Sequence, residues 1–135
     1  MGLVPGFKVF AVTVLLALAG GCTPYIQKEA EALPESNTAG IRAIDKTLTI
    51  ATVDGVDTLY VFYTQRTEYR LTAGPHRLEI RKWMGTQTAR PVFFDVDLIA
   101  GREYGMKYIP LEGWGGRIEV VDMETNKSIG TRVPR

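Results

Sequence analysis

From Ile41 onward, apolar and polar residues alternate with a period of two. The segment "TLTIATV" sets Leu48 and Ile50 on one face against Thr47, Thr49 and Ala51 on the other. In "HRLEIRKW", Leu78 and Ile80 point one way while Arg77, Glu79 and Arg81 point the other. "PVFFDVDL" opposes Val92, Phe94, Val96 and Leu98 to Phe93, Asp95 and Asp97. Alternation of this kind predicts half-buried strands, because successive side chains leave a strand on opposite sides. "TLYVFY", "EYGMKYI" and "RIEVV" add three weaker strand candidates. Asp54-Gly55, Ala73-Gly74-Pro75, Ala100-Gly101, Gly113 to Gly116 and Thr125-Asn126-Lys127 punctuate the series with residues suited to turns. No helical stripe of ten or more residues follows Ile41. The pattern predicts an all-β domain over 41–135, a small antiparallel β-sandwich of about seven strands. "LTAGPHRLEI" at 71–80 and "LIAGREYGMKY" at 98–108 also echo each other. Two hairpins obeying one turn chemistry account for the echo, and a duplication is the alternative.

Ahead of this domain the pattern is different. Met1 and Lys8 place positive charge before an apolar run from Val9 to Ala19, closed by Gly20 and Gly21. That is the layout of a secretory signal peptide over 1–21. The run spans eleven residues, whereas a membrane-crossing helix needs about twenty. Cys22, the single cysteine, follows the small residues directly, and Leu18 stands four before it. Ala19, Gly20, Gly21 and Cys22 resemble the lipobox of bacterial lipoproteins. The resemblance implies that the Cys22 thiolate is alkylated by a diacylglycerol and becomes the first residue of the mature chain. It also explains an unpairable cysteine in an oxidising compartment. Two or three acyl chains hold a protein to a bilayer durably. Thr23 after the cysteine, in place of aspartate, resembles the outer-membrane signal of Gram-negative lipoproteins and implies a periplasm-facing anchor. Residues 22–40, poor in large apolar side chains and interrupted by Pro24 and Pro34, read as a flexible tether. A coil of that length has a root-mean-square span of about 25 Å.

Charge then narrows the function classes. The chain carries 16 basic and 15 acidic residues, and loss of Lys8 with the leader balances them. A nucleic-acid partner calls for a basic excess that is absent. His76 is the only histidine, so any nucleophilic triad would run through it, and no nucleophile or orienting acid is indicated nearby. No catalytic residue, metal site or cofactor is expected, since Cys22 is committed to lipid and carboxylates alone remain. Asp95 and Asp97 share one strand face, where they either bind a cation or form a solvated face opposite Arg77 or Arg81. Phe93 shares that face, so it is either covered by a second layer or exposed. Trp114 is flanked by Gly113, Gly115 and Gly116. It either stacks on a sugar or partner or folds back to plug the sandwich, with Trp83 a second platform.

The order "VDG", "YRLTAGPHRLEI", "FFDVDLIAGREYGMKY" resembles the transthyretin-like or PEGA-like β-sandwich modules of bacterial envelope proteins. The positions carrying the likeness are Asp54, Gly55, Leu71, Gly74, His76, Gly101 and Tyr104. The resemblance implies a binding or structural module. The expected function is a lipid-anchored, non-enzymatic accessory that binds or scaffolds an envelope protein partner. The alternative is a module that binds peptidoglycan or another glycan through exposed aromatics, Trp114 helped by Trp83 and Asp95; Trp114, Trp83, Phe93 and Asp95 are the candidate ligand or partner contacts.

Overall fold

The alternating segments fold into eleven strands among the residues that the computed structural model describes, which are 24–58, 66–84, 87, 88, 90–113 and 115–133. They are β1 (Tyr25–Ile26), β2 (Thr38–Ala43), β3 (Leu48–Val53), β4 (Val56–Asp57), β5 (Glu68–Thr72) and β6 (Gly74–Met84). β7 (Gln87–Thr88), β8 (Val92–Leu98), β9 (Glu103–Pro110), β10 (Gly116–Asp122) and β11 (Thr131–Val133) complete the set. One sheet, A, runs β1-β5-β2-β9-β10, and the other, B, runs β11-β8-β6-β3-β4 with β7 paired to the end of β6. The fold is an all-β sandwich. Among the described residues no helix is long and apolar enough to cross a membrane.

The core between the sheets is supplied by the faces that alternation marks. Leu48, Ile50, Leu78, Ile80, Phe94, Val96 and Leu98 of sheet B pack against Ile41, Leu71, Tyr104, Met106 and Val120 of sheet A. Burial of side chains of this size contributes about 1.5–3 kcal/mol each before entropy opposes it. Thr49 and Ala51, expected on a polar face, are buried as well. β3 slips register between Ile50 and Thr52, and the Tyr69 hydroxyl from β5 reaches its flank. That hydroxyl accepts from Ile50 N–H at 3.0 Å, lies 2.9 Å from Thr49 Oγ1 and donates to the Arg66 carbonyl at 3.0 Å. One side of the sandwich is thereby stitched shut. The C-terminal segment closes the opposite side: Ile129 N–H bonds Val120 of sheet A, and Thr131–Val133 pairs with β8 of sheet B.

Three expectations need correction. The sandwich is not purely antiparallel, because β1 lies parallel to β5 and β2 parallel to β9. Strands so distant in sequence need no tight turn between them, so either direction is open to them. The echoing segments are not hairpins either. β5 belongs to sheet A and β6 to sheet B, while β8 belongs to B and β9 to A, so each pair is an arch that changes sheet. Gly74 (φ +107) and Gly101 (φ +81) supply the left-handed backbone these reversals need.

The third correction concerns the tether. From Pro24 the chain is packed on the domain: β1 joins the edge of sheet A, and 3₁₀ turns follow at Lys28–Ala30 and Glu35–Asn37. Tyr25 tilts against Tyr69 with ring centroids 6.2 Å apart, and Ala30 is buried. Gln27 N–H bonds the Arg70 carbonyl at 2.9 Å, and its side-chain carbonyl accepts from Thr72 N–H at 3.0 Å. Two residues of alternation, Tyr25 inward and Ile26 outward, are too few to stand out in a polar segment, yet they suffice to extend a sheet.

Candidate functional site

Cys22 and Trp114 lie outside the described residues. Of the other sequence candidates, Phe93 and Asp95 sit on the outer face of sheet B. Phe93 is half-buried between Glu79 of β6 and Val133 of β11, its cross-strand neighbours. Asp95 accepts from Arg77 Nε at 3.0 Å, across neighbouring strands. Hydrogen bonding to Asp95 holds the Arg77 guanidinium above its ordinary pKa. Trp83, near the end of β6, is half-buried, and its indole N–H is buried without an acceptor among the described residues. Trp83 is four residues along β6 from Glu79, the partner of Phe93, a separation of about 13 Å. The two rings do not form one platform.

His76 is buried at the first arch. Its Nδ1 lies 2.6 Å from Asp54 Oδ2, and its Nε2 lies 2.7 Å from the Thr72 carbonyl and 3.1 Å from Thr72 Oγ1. The constellation superficially resembles an acid–histidine–hydroxyl triad. However, a nitrogen engaged with a carbonyl offers no lone pair to a nucleophile's proton. The Thr72 hydroxyl also has another acceptor, Gln27 Oε1 at 3.2 Å. His76 instead pins the Asp54-Gly55 hairpin to the arch, and Asp54 Oδ1 secures the same corner by accepting from Arg77 N–H at 2.7 Å. The second arch is pinned likewise: Ile99 N–H donates to the buried Tyr104 hydroxyl at 2.9 Å. Among the described residues no group of three or more histidine, cysteine or acidic side chains is placed to hold a metal ion.

The feature that sequence reasoning missed is a groove of about 420 Å³ across the outer face of sheet A. Its rim includes Pro24, Ile26, Glu35 and Met123, with Arg42, Glu68, Arg70 and Glu103 inside. Two glycines in neighbouring strands lower its floor. Gly40 of β2 lies opposite Glu103, and Gly105 of β9 lies opposite Arg42. The Glu103 carboxylate lies directly over Gly40, while Ile44 and Met123 fold over Gly105. Arg70 Nη2 bonds Glu103 at 2.9 Å and reaches Glu35 at 3.4 Å, and Arg70 Nη1 donates to Thr38 Oγ1 at 3.1 Å. Arg42 and Glu68 are exposed register partners across β2 and β5, yet they form no ion pair with each other or with another described residue. Glycines inside strand patterns are the available sequence signal for such a floor, but only the register shows that both lie on one face.

No family model, curated protein or solved structure matches the chain.

Proposed function

We propose that this protein is a lipid-anchored accessory of the cell envelope, held at the membrane by Cys22, that binds a protein partner and catalyses no reaction. The observation that carries this reading is the packing of the chain from Pro24 onward, two residues after the lipobox-like cysteine. It joins a rigid sandwich to the anchor with almost no slack. His76, engaged on both ring nitrogens, supports a structural role for the residue best suited to acid–base chemistry.

The partner surface in this reading is the outer face of sheet B, where Arg77, Phe93 and Asp95 combine paired charge with an aromatic ring. Charged groups arranged around an apolar contact set the register of a partner. The alternative reading, a glycan bound through exposed aromatics, turns on Trp114, which lies outside the described residues, with half-buried Trp83 as its helper.

The test replaces Phe93 in the full-length protein, in cells, with a photo-crosslinking phenylalanine analogue. A discrete protein adduct that disappears in an Asp95→Lys background supports the proposal. Absence of any adduct, together with sedimentation on purified sacculi that Trp83→Ala abolishes, would replace it with glycan binding.

A further inference from the structure

We propose that the groove of sheet A receives the headgroup of a zwitterionic phospholipid, with its phosphate against Arg42 and its ammonium against Glu68. The domain then lies groove-down on the bilayer. The inference rests on the anchored reading of Cys22 and adds to it an orientation and a lipid preference.

Two arguments converge on that ligand. The first is charge. Arg70 is matched by Glu35 and Glu103, which leaves Arg42 and Glu68 as the open pair in the groove. Opposite charges placed directly across two strands normally interact. These two stand side by side, both exposed and unpaired, and together present a cation and an anion at the spacing of neighbouring strands, about 5 Å. The whole groove, with Glu35, Glu68 and Glu103 against Arg42 and Arg70, has one acidic group in excess. An anionic headgroup would be repelled, whereas a zwitterion complements both members of the open pair.

The second argument is position. β1 runs parallel to β5 with Tyr25 beside Tyr69, so the preceding residue, Pro24, lies at the level of Glu68 and lines the groove. Cys22 is two residues further back, and consecutive Cα atoms are about 3.8 Å apart. The anchor thus leaves the domain at the end of the groove that holds Arg42 and Glu68. Ile26 (45% exposed) and Ile44 (47% exposed), beside Met123, add apolar surface on this face. Such side chains suit the boundary between headgroups and acyl chains.

The mature lipidated protein, embedded in phosphatidylethanolamine nanodiscs with a trace lipid spin-labelled near the top of its acyl chain, provides the test. Paramagnetic broadening of NMR signals is compared between Ile26, Ile44 and Met123 on one face and Phe93 and Asp95 on the other. The groove residues are expected to broaden strongly and the sheet B residues little. Arg42→Glu and Glu68→Arg should each reduce the broadening of the groove residues toward that of the sheet B residues. The combined swap should restore it, because a zwitterion can reverse. Phosphatidylglycerol discs should give a weaker effect than phosphatidylethanolamine. Equal broadening of both faces, insensitivity to either single reversal, or a preference for phosphatidylglycerol would overturn the proposal. Intact mass of the same sample separates the two readings. A missing diacylglycerol on Cys22 removes the anchor itself, whereas a lipidated protein with its groove turned to solvent removes only the docking.

Discussion

Tyr69 shows how one side chain can close an edge. Its ring packs in the core while its hydroxyl serves the Ile50 amide, the Arg66 carbonyl and Thr49. Burial holds the Tyr69 phenol above its ordinary pKa, so it stays a protonated donor through the neutral range. Tyr69→Phe keeps the ring and strands its former partners. It should cost about 1–3 kcal/mol, read as a lower urea midpoint at unchanged slope. Asp122 makes a comparable corner, accepting from Glu124 N–H at 2.8 Å, from Arg102 Nη1 at 2.8 Å and from Thr125 N–H at 3.3 Å. Burial alone would raise its pKa, but these donors together hold it below the ordinary carboxylate value of 3.8. A folded-state pKa below the unfolded one contributes stability above the unfolded value, and this is lost as pH falls through the folded value. Asp122→Asn should therefore lower the urea midpoint at pH 7, and the difference from wild type should shrink by pH 3. The bonds from Tyr69 to Thr49 and Ile50 and from Arg102 to Asp122 are not visible in the sequence, because they join residues of different strands, whereas the bonds of Asp122 to Glu124 and Thr125 belong to a local turn.

At the scale of elements, strands were legible where one face is buried and the other wet, and less so where both are buried, as in β3. "PVFFDVDL" is the clearest case, with Phe94, Val96 and Leu98 buried and Asp95 and Asp97 exposed. The arches were less legible. Leu-x-Ala-Gly marks a reversal but does not say whether the following strand returns in the same sheet or crosses to the other, and both arches cross. Residues 24–40 read as a tether for a compositional reason: Tyr25, Ala30 and Thr38 are spread through polar residues, and they pack against a sheet edge formed by Glu68–Thr72, far along the chain. Placement of Ala30 in the fold makes a sharp prediction. Ala30→Glu should cost about 2 kcal/mol or more in chemical denaturation, since a carboxylate enters a closed site. In a solvated tether the same change would stay within about 0.5 kcal/mol.

For the whole molecule, packing from Pro24 sets the distance from the membrane that the proposed lipid anchor would allow. A coil over residues 22–40 would let the sandwich wander about 25 Å from its anchor. In the lipid-anchored reading proposed above, a chain packed from Pro24 would place the groove of sheet A on the anchored side. In the same reading the outer face of sheet B would point away from the bilayer and leave Phe93 and Asp95 open to the proposed partner. The proposed orientation of anchor, groove and partner face follows from the position of β1. Its most direct test is neutron reflectometry of the mature lipidated protein on a supported bilayer. The account predicts a protein layer in contact with the headgroups, with no resolvable water gap. A layer separated from them by about 25 Å, as the tether would give, or no bound layer at all, would contradict it.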